Sequence, residues 1–152
     1  MKTEVLFNDG WEFTRQELDT TLEEIRDREE EFAPVGIPHD WLIYQVQRLY
    51  ENGTGWYRKK FRWQRVQGEL VSLCFDGVYM DCRVYVNDRE AGEWKYGYSA
   101  FQVDMTPFLR DGETAMRRKL KILKEMGVNA VRLTHNMHAS DVMDLGMRWV
   151  CL

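Results

Sequence analysis

Apolar and polar positions alternate with a period of two through much of the first 110 residues. In "WYRKKFRW", Trp56 to Trp63, the alternation puts Tyr57, Phe61 and Trp63 on one face. Leu70 to Phe75 forms a second short run, and Cys82 to Val86 a third, with Val84 and Val86 alternating against Arg83 and Tyr85. Such runs predict half-buried strands, because successive side chains of a strand point to opposite faces. Turn signals punctuate them. Asn8-Asp9-Gly10 leads into a short aromatic strand, and Asn87-Asp88 predicts a tight turn into a strand over Glu93 to Tyr98. "SAFQVDMTPFL" predicts one more strand, then a helical turn started by Thr106-Pro107. Short strands at near-regular spacing predict a mainly β fold, a jelly-roll β-sandwich, with Tyr57, Phe61, Phe75, Val84 and Val86 buried.

Two stretches depart from this period. Gln16 to Phe32 carries Leu18, Leu22, Ile25 and Phe32 at helix-like intervals among many acids. That predicts an amphipathic surface helix, with Glu29, Glu30 and Glu31 as its solvated face. Beyond Thr114, Leu120, Leu123 and Met126 form an apolar helical stripe ended by Gly127. "NAVRL" then predicts a short buried strand, and Ala139 to Leu145 a second helix capped by Ser140 or Asp141. Helix, strand and helix make a fragment of a parallel α/β fold that cannot close a sheet alone. The expected division is therefore an incomplete jelly-roll domain over 1–113 and an α/β segment over 114–152.

Composition narrows the function classes. A chain of 152 residues is long enough to bury a core. A net charge of −4 argues against a nucleic-acid partner, which demands a positive field. No apolar run approaches the ~20 residues of a membrane-spanning helix. "MKTEVLFNDGW" lacks the apolar centre of a secretory signal, so the expected location is the cytoplasm. In that setting Cys74, Cys82 and Cys151 are expected as thiols, although Cys74 and Cys82 on neighbouring strands could also form a disulfide. "NGT" at Asn52 fits a glycosylation acceptor by pattern and reads as a turn. Six Trp within an aromatic share of 13% suit a sandwich core or a sugar-binding surface. Trp94, Tyr96 and Tyr98 share one strand parity and could serve either.

Four blocks in order, "VGIPHDWLIY", "NGTGWYRKKF", "FDGVYMDCRVYVND" and "YGYSAFQVDMTPFLRDGE", resemble the N-terminal sugar-binding domain of family 2 glycoside hydrolases, the bacterial β-galactosidases among them. "LKILKEMGVNAVRLTHNMHASDVMDL" separately resembles a stretch early in the catalytic TIM barrel of that family, with Thr134 for the usual Ser and Met137 for the usual Pro. In full-length relatives other domains lie between these blocks. The resemblance thus implies an internally deleted chain joined near Thr114 to Arg117, with the last jelly-roll strands missing and an open sheet edge that "NAVRL" could fill. β-Glucuronidases and β-mannosidases share this architecture, so the resemblance leaves the sugar open.

A retaining glycosidase works with two carboxyl groups about 5–5.5 Å apart across the scissile bond. In the family both are glutamates on later barrel strands, absent from this chain, so the resemblance implies no catalytic residue here. It does carry over substrate-binding positions: Asp40 in "PHDW", whose carboxylate would accept sugar hydroxyls, and Arg132, His135 and Asn136 of the barrel motif. Asp40 could equally cap the turn after Pro38, and Trp41 plug the core. His135 and His138 with Asp141 lack an evident fourth ligand, so no metal is expected. No cofactor is expected. The expected partner is a carbohydrate, a β-galactoside by resemblance, with self-association through the orphan C-terminal segment.

Overall fold

A computed structural model describes residues 3–26, 28–41, 52–64, 66–79, 81–122 and 147–151. Its strands are β1 (Thr3–Leu6), β2 (Trp11–Gln16), β3 (Ala33–Val35), β4 (Gly53–Trp63), β5 (Leu70–Phe75), β6 (Cys82–Val86), β7 (Arg89–Trp94), β8 (Phe101–Asp104), β9 (Gly112–Ile122) and β10 (Met147–Cys151). They form a four-stranded sheet in the order β1-β10-β5-β8 and a six-stranded sheet in the order β3-β2-β4-β9-β6-β7. This is the jelly-roll sandwich that the alternation predicts.

Period two selects the core. Val71, Leu73 and Phe75 on β5 are buried while Ser72 and Cys74 between them are only partly so. Cys82, Val84 and Val86 on β6 pack in the same cluster, with Trp11, Tyr57, Phe101, Val103 and Met105. Each such side chain contributes about 1.5–3 kcal/mol on leaving water. Of the five expected core residues, Tyr57, Phe75, Val84 and Val86 are buried, and Phe61 is half-buried against them. Asn87 and Asp88 adopt positive φ, 50° and 62°, the tight turn expected between β6 and β7. After β8, the amide of Leu109 bonds the carbonyl of Met105, closing the expected helical turn at Thr106-Pro107. Cys74 and Cys82 remain thiols.

The expected surface helix is shorter than its spacing suggested. Gln16 belongs to β2, paired with Thr54 of β4, and the helix α1 covers only Leu22–Arg26, followed by a 3-10 turn at Glu29–Glu31. Thr21 and Glu24 start α1 as a reciprocal capping box, with backbone-to-side-chain contacts of 2.8 and 3.3 Å. Ile25 and Phe32 nonetheless reach a small second core over Trp56, and Glu30 and Glu31 are exposed as expected. Beneath Phe32 lies Arg58, whose guanidinium is 4.1 Å from that ring and bonded to Glu12 at 2.8 Å. The excursion from 17 to 32 is a cover for the outer face of the six-stranded sheet.

The helical period expected beyond Thr114 does not hold as far as Ile122. Gly112–Ile122 is a strand that pairs with β4 along its whole length and with β6 on its other side. The apolar positions Met116, Leu120 and Ile122 fit a two-residue period as well as a helical one. Two strands with open ladder edges decide between them, because unmade backbone bonds at a sheet interior are costly. Leu123, Met126, "NAVRL" and the helix over Ala139 to Leu145 lie outside the described residues. The neighbour of both β1 and β5 is Met147–Cys151, in parallel register with each. Among the described residues no helix is long and apolar enough to cross a membrane.

Candidate functional site

The chain leaves β3 at Val35 and turns through a cis Ile37-Pro38 bond into His39, Asp40 and Trp41. Pro38 faces solvent, whereas Asp40 is 9% and Trp41 6% exposed. Aromatic packing fixes the segment. The His39 ring sits 4.8 Å from Phe13 and 5.7 Å from Tyr57, and its Nδ1 is 2.8 Å from the Tyr57 hydroxyl. Trp41 meets Phe13 edge-on at 5.6 Å, and the Arg15 guanidinium lies 5.3 Å over its ring. Arg15 also donates from Nη2 to the Asn52 carbonyl at 3.1 Å, holding the entry to β4 beside it. Glycine at 53 permits this: a Cβ there would stand 2.9 Å from Arg15 Nε and 3.3 Å from both the Gln16 carbonyl and the Trp41 ring.

Asp40 is therefore a carboxylate held in a largely buried segment with rigid aromatic support. An ionised carboxylate is an acceptor only, with room for several donors, which suits it to vicinal hydroxyls. Trp41 belongs to the core cluster. Arg132, His135 and Asn136 lie outside the described residues, as do His138 and Asp141. Phe13, Arg15, Gly53 and Tyr57 hold His39 and Trp41 on either side of Asp40. The sequence marked Tyr57 only as a core residue and His39 only by its place inside "PHDW".

The other aromatic candidates separate. Strand β7 ends at Trp94, which stacks on Phe101 at 5.2 Å with planes 11° apart and is only partly exposed. Tyr96 and Tyr98 fall beyond the strand, 62% and 74% exposed. Asn52-Gly53-Thr54 opens β4 rather than forming a turn, with Asn52 exposed and Thr54 buried, donating to the Leu18 carbonyl at 3.0 Å.

Residues 31–135 match the family model of the glycosyl hydrolases family 2 sugar binding domain. A β-galactosidase of Bacteroides ovatus is 37% identical over 86 residues, 49% of this chain and 10% of that protein. A β-glucuronidase of Formosa agariphila is also 37% identical, over 62 residues, 40% of this chain and 6% of that one. A crystal structure of a glycosyl hydrolase family 2 member from Bacteroides cellulosilyticus superposes with a TM-score of 0.61 at 29% identity, over 76% of this chain and 17% of that one. The chain thus spans a small part of the length of the relatives it matches. With the matched segment taking in β3 to β9 and the Asp40 turn, the chain belongs to family 2 of the glycosyl hydrolases through their sugar binding domain.

Proposed function

We propose that this chain is the sugar-recognising module of a β-galactosidase-type enzyme, binding a terminal β-galactoside without hydrolysing it. The observation that carries the reading is Asp40, a carboxylate held in a buried segment by His39, Trp41 and their partners on β2 and β4. Its acceptors would take sugar hydroxyls, and Arg132, His135 and Asn136 would complete the subsite. Carbohydrate binding is supported by the family, whose matching relatives include both β-galactosidases and β-glucuronidases; the galactoside is the proposed choice between them. Gly112–Ile122 is part of the sandwich, and only the stretch beyond Ile122 is read as a short piece of barrel, which supplies neither of the two carboxyl groups a retaining hydrolase requires. The proposed location is the cytoplasm, with self-association through the C-terminal segment. A second reading, a stand-alone carbohydrate-binding module, is favoured by the exposure of Tyr96 and Tyr98.

The test is one purified preparation assayed for binding and turnover. Methyl β-galactoside should bind, Asp40→Asn should weaken that binding by about tenfold, equal to ~1.4 kcal/mol, and a chromogenic β-galactoside should stay intact. Hydrolysis that disappears on mutating one of the chain's own acids would overturn the non-catalytic reading. Preference for methyl β-glucuronide would overturn the galactoside assignment.

A further inference from the structure

Tyr96 and Tyr98 are built as a pair. Their ring centroids are 5.9 Å apart with planes at 67°, edge to face, and both rings are exposed to solvent. Behind them Tyr79, 7% exposed, meets Tyr98 edge-on at 5.6 Å. Gly97, between the two, lies so close to Tyr79 that a Cβ would stand 2.6 Å from a ring carbon. The two tyrosines are therefore turned outward by a backbone pressed onto a buried third. A bond from the Asp81 amide to the Lys95 carbonyl, 3.4 Å, ties the two loops together.

The location differs from that of Asp40. The Asp40 turn leads off β3, one edge of the six-stranded sheet; the tyrosines follow β7, the opposite edge. Two neighbouring exposed aromatic rings, unlike apolar side chains scattered singly, form a patch on which a ligand can pack. Full burial of a tyrosine removes about 150–250 Å², so two adjacent exposed rings offer an apolar area on the scale of one sugar ring. The polar neighbours Glu93 and Lys95, themselves paired at 3.6 Å, limit the patch further. A ring-sized ligand fits this area.

We propose that Tyr96 and Tyr98 form a second, stacking subsite for a pyranoside on this domain, separate from Asp40. The C–H face of the sugar packs on one tyrosine ring, and its hydroxyls reach the phenol oxygens and water. The site deepens the carbohydrate-binding reading and rests on it. An oligosaccharide would be gripped by a hydroxyl-reading turn at one edge of the sheet and an aromatic platform at the other.

The experiment titrates the full 152-residue chain with a β-1,4-linked galactooligosaccharide by calorimetry. Tyr96→Ala and Tyr98→Ala should each weaken binding by about tenfold, and Tyr96→Phe and Tyr98→Phe should stay within about twofold of the parent, because stacking needs the ring. Near-ultraviolet circular dichroism on each variant checks that the fold survives. If the alanine variants bind like the parent while Asp40→Asn does not, the platform is overturned and the sugar-binding reading stands. If the parent binds no glycan, both fall. If the parent is a dimer that Tyr98→Ala dissolves, the patch belongs to a second copy and the proposal is overturned.

Discussion

His39 and Tyr57 face each other across the sandwich rim, imidazole Nδ1 to phenol oxygen at 2.8 Å. Through this bond the turn that carries Asp40 is fastened to β4, a strand in the middle of the larger sheet. Tyr57→Phe removes the bond and keeps the ring. The expected loss is about 1 kcal/mol in urea unfolding. His39→Ala should lose more, because the packing on Phe13 goes with it.

Gly97→Ala should destabilise the domain. The added methyl would stand 2.6 Å from the Tyr79 ring and 3.3 Å from its Cα, so a loop must shift. The expected effect is about 1–3 kcal/mol, read from the melting temperature. Gly36→Ala, where a Cβ meets nothing within 4 Å, is the control and should change stability little.

The contact between Arg58 and Glu12 gives a third test. The Arg58 side chain is 6% exposed and Glu12 35%. Removing the carboxylate charge by Glu12→Gln takes one charged partner from a guanidinium buried beside Phe32. The expected loss is about 1–2 kcal/mol, less than the ~3–5 of a fully enclosed pair because Glu12 reaches solvent. Raising salt should shrink the difference only slightly.

Alkaline titration supplies a fourth. Burial is the first cause that raises the Tyr79 and Tyr85 phenols above their ordinary 10.0; Tyr98 adds to it at Tyr79, while Arg83 opposes it at Tyr85. A raised folded value means the folded state holds protons that the unfolded chain releases. Their stabilisation is complete below about pH 10 and declines as pH rises through the folded values. Lys59 runs the other way: burial, partly offset by Asp9, lowers it from 10.5, so its contribution rises with pH up to that value. Tyr85→Phe should flatten the alkaline fall in stability. Phenolate absorbance near ~295 nm should appear at higher pH in the folded chain than in urea.

Much of the sandwich was legible in the sequence because period two is a local property. β5 and β6 follow their apolar alternation, and the Asn87-Asp88 turn follows from residues that tolerate positive φ. The "PHDW" turn was legible too, as a motif. Local spacing could not decide the fate of Gly112–Ile122, whose apolar positions satisfy either period; pairing with β4 and β6, more than twenty residues away in sequence, made it a strand. Nor could it foresee how Asp40 is supported. Phe13, Arg15, Gly53 and Tyr57 come from two strands to its neighbours His39 and Trp41, and the alternation that marks Tyr57 as core says nothing of that contact. The exposure of Tyr96 and Tyr98 was equally hidden, since the same parity suits a core or a surface until the end of β7 is placed. Local alternation sets which residues can form strands. Which edges meet, and therefore which side chains are buried beside which, is settled only when distant backbone groups find partners and apolar faces close over one another.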